Sequence, residues 1–239
     1  YATISLLSTV SALFAPSKYG IIPELVGEEH LSKANSALVG LTYIAIILGI
    51  FMPSALLISV FKDNYIWLAL FSVAAGVFGI FAAGKIEPTQ AAGTDKKLKV
   101  FFLGDIVRTL LEIRKDKDLY LTVLGSAYFL LIASFLQQNA LIYGEKNLGL
   151  GWVQSGLLFP VVGLGIGLGS YLSGRLSGRN IEFGIVPIGA VGLAIASLCL
   201  GILRPGLVTV SVLLFLVGVS AGFFIVPLNA FVQFKSPKN

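Results

Sequence analysis

Histidine and cysteine each occur once in this chain, as His30 and Cys199, and charge of either sign is scarce. A lone cysteine inside an apolar segment excludes an intrachain disulfide framework and any cysteine-rich metal centre. A lone histidine leaves too few ligands for a protein-built zinc or di-iron site. The sequence offers no paired carboxylates, no nucleophile beside a base and no Gly-x-Gly-x-x-Gly phosphate loop after a strand, so no catalytic residue is assigned. Neither enzymatic activity nor a cofactor is expected. Charged residues make up 12% of the 239 positions, against roughly 25% in soluble domains. The net charge of +5 would point to nucleic acid in a soluble protein. Here the basic residues lie between apolar runs, where membrane topology accounts for them, and no nucleic-acid partner is expected. What the chain has in abundance is hydrophobic side chains: 56% of residues, with a mean hydropathy of +0.90.

A spanning helix needs about 20 mainly apolar residues. Segments 35–60, 65–85, 119–143, 151–174, 183–203 and 206–232 meet that length, and 1–14 is apolar but short. None alternates with period 2, so the predicted class is an all-α integral membrane bundle. From its first residue, Tyr1, and its last, Asn239, the chain is expected to be an internal piece of a longer protein. The basic residues set the orientation. With Lys85–Asp118 in the cytoplasm, Lys18, Lys33, Arg175, Arg179, Lys235 and Lys238 fall on the same side, leaving Lys62, Lys146 and Arg204 opposite. The positive-inside rule then puts loops 15–34, 86–118 and 175–182 and the C-terminal end in the cytoplasm.

The long polar segment divides the chain into 1–85, with three spans, a cytoplasmic linker 86–118, and 119–239, with four. Within the linker, Phe102, Ile106, Leu110 and Ile113 recur at helical spacing between Arg108, Glu112 and Lys115, which predicts an amphipathic helix on the membrane surface. It is either a tether between halves or a lipid-sensing or docking helix. Two half-bundles with a site between them are a transporter pattern; a seven-span receptor is the alternative from another class.

Polar side chains inside a membrane must face protein or water. On 119–143, Ser126, Ser134 and Gln137 fall within an arc of about 80° at 100° per residue. Together with Tyr128 and Gln138, and with Asn229 on 206–232, they form the candidate cavity lining; interhelical hydrogen bonding is the competing role, above all for the serines. Gly163, Gly165, Gly167 and Gly169, with Gly218 and Gly222, make small-residue pairs four apart that let helix backbones approach closely. Pro53, Pro160, Pro187 and Pro227 are expected to kink their spans. No ionisable residue lies mid-span, so ion coupling resides elsewhere or is not used.

The most polar interruption of the first third is 14–35, FAPSKYGIIPELVGEEHLSKAN, in which Pro16 and Pro23 are expected to stop the incoming helix. This block, from Phe14 through Val26 and Leu31-Ser32-Lys33-Ala34-Asn35, resembles the signature of bacterial lysophospholipid transporters of the major facilitator superfamily. The same module is the membrane part of bifunctional acyltransferase/acyl-carrier-protein synthetases. Arg114–Leu121 leading to Leu136-Gln137, Leu172–Gly178 with Ile181-Glu182, and Val226–Gln233 resemble the same family. The loop at Arg175 is similar to the generic facilitator loop motif but has Gly174 where an aspartate is usual.

The resemblance implies a facilitator bundle of which this chain covers roughly the fourth to tenth transmembrane helices. It implies a transporter of lysophospholipid, chiefly lysophosphatidylethanolamine, moved inward across a bacterial inner membrane for re-acylation by an acyltransferase/synthetase that acts on the same lipid. A drug or small-metabolite transporter, and the membrane module of a fused acyltransferase, are the alternatives. Lys18 and Glu24, exchanging partners as the halves rock, and Arg175 are the candidate gating residues.

Overall fold

The computed structural model describes residues 2–59, 65–89, 103–178, 180–203 and 206–235. Among them the chain is helical throughout, in the order α1 (Ala2–Gly20), α2 (Ile22–Val26), a 3-10 turn (Glu28–His30), α3 (Leu31–Ser59), α4 (Tyr65–Ala83), α5 (Leu103–Ile113), α6 (Lys117–Lys146), α7 (Trp152–Gly156), α8 (Leu158–Ser177), α9 (Ile185–Leu203) and α10 (Leu207–Lys235). Among the described residues five spans are long and apolar enough to cross a membrane: Glu28–Ile50, Lys117–Lys146, Gln154–Ser177, Ile185–Leu203 and Leu207–Lys235. The fold is an all-α, multi-helix integral membrane bundle. The serines, threonines and Lys18 of α1 keep it outside that set, although it is a continuous 19-residue helix.

Several boundaries differ from those read in the sequence, and proline chemistry explains most of them. Pro16 does not stop α1; the helix continues to Gly20, and the Ser17 hydroxyl donates to the Leu13 carbonyl at 3.3 Å. Pro23 sits in the first turn of α2, where its missing N–H costs nothing. Pro160 and Pro187 fall in the first turns of α8 and α9 and so do not kink helix interiors. With no N–H, Pro160 leaves the Gly156 carbonyl without its usual partner, and the expected 151–174 span is divided there into α7 and α8. Pro227 is buried inside α10, which runs on as one helix on both sides of it. The Pro53 side chain lies outside the described residues, as do Phe102 and Arg179. The linker helix is described over Leu103–Ile113, and its expected start lies outside the described residues.

α8 and α10 make the most extensive helix pair, followed by α3 with α8 and α9 with α10. Small residues explain the close approach. A Cβ on Gly165 would stand 2.9 Å from Gly218 Cα, and one on Gly169 would stand 2.8 Å from Val219 Cα. Gly222 lies against Gly169 and Ser170 in the same way, and a Cβ on Gly163 would meet the Ile47 side chain of α3 at 3.1 Å. Gly167 has nothing within 4 Å of that position, so it is not part of the tight contact. Around this centre, Val39, Phe129, Ile166, Ala221, Ile225 and Val226 form the main core. Apolar side chains on α4 and α9, such as Phe78, Ile80, Ile188 and Ile195, are exposed, as expected of surfaces solvated by lipid.

Part of the 14–35 stretch is packed against the bundle, while 14–17 and 24–30 are exposed. Ile22 and Leu31 are buried with Ala230 of α10, and Tyr19, Leu38 and Ile181 close over them. Gly27, at φ 69°, ends α2 in a conformation that glycine adopts without strain, and Gly178, at φ 57°, ends α8. α6 starts at Asp116, whose carboxylate accepts the N–H groups of Asp118 and Leu119, both at 3.1 Å. The same carboxylate receives the Lys235 ammonium at 3.0 Å, tying the start of α6 to the end of α10.

Candidate functional site

A cavity of about 260 Å³ lies where α3, α6, α8, α9 and α10 converge. α3 contributes Tyr43, Ile46, Ile47 and Ile50; α6 contributes Phe129, Ile132, Ala133, Leu136, Gln137 and Ala140. Phe159 to Ile166 of α8, Leu193 of α9 and Leu214, Val217 and Ala221 of α10 complete the wall. The helix spacing creates this arrangement: positions 129, 132, 133, 136, 137 and 140 form one face of α6. Among the described residues only Tyr43 and Gln137 bring polar side chains to the lining, a phenol and a primary amide. Such a wall holds an apolar body and offers it one or two hydrogen-bonding handles. Among the described residues there is no group of three histidine, cysteine or acidic side chains that could hold a metal.

Of the residues singled out in the sequence, Gln137 lines this cavity. Ser126 lies eleven positions earlier on α6, about 16 Å along the axis, half-buried with its hydroxyl unpartnered. Asn229 is half-buried on α10, beyond the lining residue Ala221. Tyr128 is 63% exposed, and Ser134 and Gln138 are exposed as well. The Ser134 hydroxyl donates to the Leu130 carbonyl of its own helix at 2.9 Å. A second cavity, of about 340 Å³, lies between α6, α9 and α10 and includes Asn139, Tyr143, Asn147 and Ser197.

Lys18 reaches from α1 to α3, where its ammonium donates to the Thr42 hydroxyl at 3.2 Å and stands 5.1 Å from the Tyr19 ring centre. Thr42 passes its own proton to the Leu38 carbonyl at 2.6 Å, leaving its oxygen free to accept. Thr42 precedes Tyr43 on α3, but neither Lys18 nor Thr42 is among the residues that line the cavity. Glu24 is exposed, and no ion pair joins it to Lys18 among the described residues. Arg175, in the last turn of α8, is exposed too.

Sequence reasoning missed the polar seam between α3, α8 and α10. Asn35, fully buried, donates to Gln233 Oε1 at 2.6 Å and to the Leu31 carbonyl at 2.9 Å, and Gln233 Nε2 donates back to Asn35 Oδ1 at 3.1 Å. Ser32 and Ser36 of α3 and Ser170, Ser173 and Ser177 of α8 are buried on the same helices. A signal for part of it was present: Ser170, Ser173 and Ser177 share one helical face, and Asn35 stands one turn from Leu31.

The family model described as Major Facilitator Superfamily matches residues 1–239. The chain is 28% identical over 235 residues to the lysophospholipid transporter LplT of Yersinia enterocolitica, covering 96% of this chain and 56% of that protein. It is 26% identical over 244 residues to the proteins of the same name from Citrobacter koseri and Salmonella typhi, covering 98% of this chain and 58% of each. The chain therefore spans somewhat over half the length of the curated relatives it matches. No solved structure gives a significant match.

Proposed function

We propose that this chain, which belongs to the major facilitator superfamily, forms the middle of a transporter that moves lysophospholipid by alternating access. A membrane-embedded transporter fold related to lysophospholipid transporters is the premise; the substrate, its direction and the topology are our reading. The lipid moves inward across a bacterial inner membrane, with lysophosphatidylethanolamine the favoured substrate, and is then re-acylated by an acyltransferase or synthetase. Loops 15–34 and 86–118, the α8–α9 loop and the C-terminal end face the cytoplasm.

The observation that carries this reading is the central cavity, apolar on nearly every side and, among the described residues, polar only at Tyr43 and Gln137. A single acyl chain beside a hydrogen-bonding head group matches that wall. A compact polar metabolite would leave its polar groups unpaired there, at a cost of about 1–3 kcal/mol each. Lys18, which reaches Thr42 of α3, would offer a cation to a phosphodiester and act in gating together with Glu24 and Arg175. The proposal rests on Gln137, which lines the cavity, and on the half-buried Ser126 and Asn229; Tyr128, Ser134 and Gln138 line neither cavity and do not enter it.

Flipping of a fluorescent lysophospholipid by the full-length protein in vesicles tests the reading. Gln137→Ala should slow it about fivefold, the equivalent of one hydrogen bond of about 1 kcal/mol, with expression intact. An unchanged rate would remove Gln137 from the path.

A further inference from the structure

Beyond the cavity, each of its three main helices carries a second, more polar contact towards one end. On α3 the cavity is lined from Tyr43 onward and the contact is at Ser32, Asn35 and Ser36. On α8 the lining ends at Ile166 and the contact runs through Ser170, Ser173 and Ser177. On α10 the lining ends at Ala221 and the contact includes Gln233, about 18 Å further along the axis. The three stretches meet: Gly174 of α8 is so close to α3 that an added Cβ would strike the Ser36 side chain, and Asn35 reaches Gln233 directly. At this end α3, α8 and α10 are therefore joined by a polar seam, which links chain segments 198 residues apart.

Its chemistry is unusual for a permanent helix contact. Asn35 uses both amide hydrogens, on Leu31 and Gln233, and its oxygen accepts from Gln233. The hydroxyls of Ser32, Ser170, Ser173 and Ser177 beside it are buried with no hydrogen-bond partner. An unsatisfied buried hydroxyl penalises the closed arrangement and is relieved when water reaches it. One arm of the seam thus favours closing, through two hydrogen bonds that need both amides, and the other favours opening, through hydroxyls that need water. Two such opposed contributions make a contact with two accessible states.

We propose that the Asn35–Gln233 amide pair is the latch that holds this end of the cavity shut and is released in each transport cycle, the serines of α3 and α8 becoming the wetted wall of the open state. This rests on the transporter fold and not on the identity of the cargo. Removing one amide leaves the other without its partner in the closed state, while the open state loses little, so the balance moves towards opening.

The test uses the full-length protein with Cys199 and any cysteine outside this chain replaced by serine and a reporter Ser173→Cys, in membranes open to a membrane-impermeant maleimide on both faces. Gln233→Ala should raise the labelling rate of position 173 about tenfold, the equivalent of about 1.4 kcal/mol. The exchanged pair Asn35→Gln with Gln233→Asn should bring the rate back towards that of the parent. Labelling in Gln233→Ala no faster than in the parent overturns the latch, and so does an exchanged pair that labels as fast as the single variant. If Gln233→Ala does not elute as a folded species, Asn35→Cys with Gln233→Cys joined by a short cleavable bifunctional thiol reagent decides the matter. Transport should stop on joining and resume on cleavage; transport that continues through the joined protein overturns the proposal. Because labelling needs no substrate, a wrong cargo leaves the labelling arm intact.

Discussion

Gly169→Ala and Gly167→Ala differ by two positions on the same helix and should have opposite outcomes. A Cβ at Gly169 would stand 2.8 Å from both Cα and the carbonyl carbon of Val219, atoms of the α10 backbone that no rotamer change can remove. Carbon atoms pack at about 3.5–4.0 Å, so α8 and α10 must separate by roughly 0.7 Å or more. Overpacking of this kind costs about 1–3 kcal/mol, and a gap of 0.5–1 Å forfeits about a quarter to a half of the dispersion energy of each contact it opens. Helix propensity returns only about 1 kcal/mol for glycine to alanine. At Gly167 nothing lies within 4 Å of the new atom, so the propensity gain stands alone. Thermal unfolding of the full-length protein in detergent, followed by tryptophan fluorescence, should show a clearly lower melting temperature for Gly169→Ala and an equal or higher one for Gly167→Ala. Equal losses at the two positions would refute the argument from close approach, as would an unperturbed Gly169→Ala.

Two further outcomes follow from polar contacts. The Leu119 N–H first, then the Lys235 ammonium, hold the Asp116 carboxyl below the ordinary aspartate range. A depressed native value means that the ionised form stabilises the fold above the unfolded-state pKa of about 3.9, and that this is lost as pH falls through the lower native value. Asp116→Asn, which keeps the cap, should lower the melting temperature at pH 7, and the difference should shrink below about pH 4; a difference constant with pH would contradict this. In the flipping assay, Lys18→Ala should slow transport severalfold, because it strips the Thr42 contact between α1 and α3, and Glu24→Ala should slow it less; an unchanged rate in both would remove the two from gating.

Much of the fold was legible because the membrane imposes one rule, that a long apolar run must be a helix. Where that rule applied, the spans at 119–143, 183–203 and 206–232 were located to within a few residues of α6, α9 and α10. Where proline decided, the reading was poorer. Pro16 lies inside a helix and Pro160 at the start of one, and the difference depends on whether the carbonyl four residues earlier can do without its partner. The site was less legible still. A polar residue on a membrane helix announces that it faces something, but not what: Gln137 faces a cavity, Ser134 turns back to its own backbone, and Tyr128 is exposed. Tyr43 reads as an ordinary aromatic in an apolar run until the helices converge on it. The Asn35–Gln233 pair depends on two residues 198 positions apart, which no local pattern connects.

The most direct measurement of the central claim is the rate at which the full-length protein, reconstituted in vesicles, flips lysophosphatidylethanolamine compared with its two-chain parent lipid and with amphipathic cations. Flipping of the single-chain lipid well above protein-free vesicles, competed by other lysolipids and not by the cations, is the predicted result. Transport of the cations with no movement of any lysolipid would contradict it.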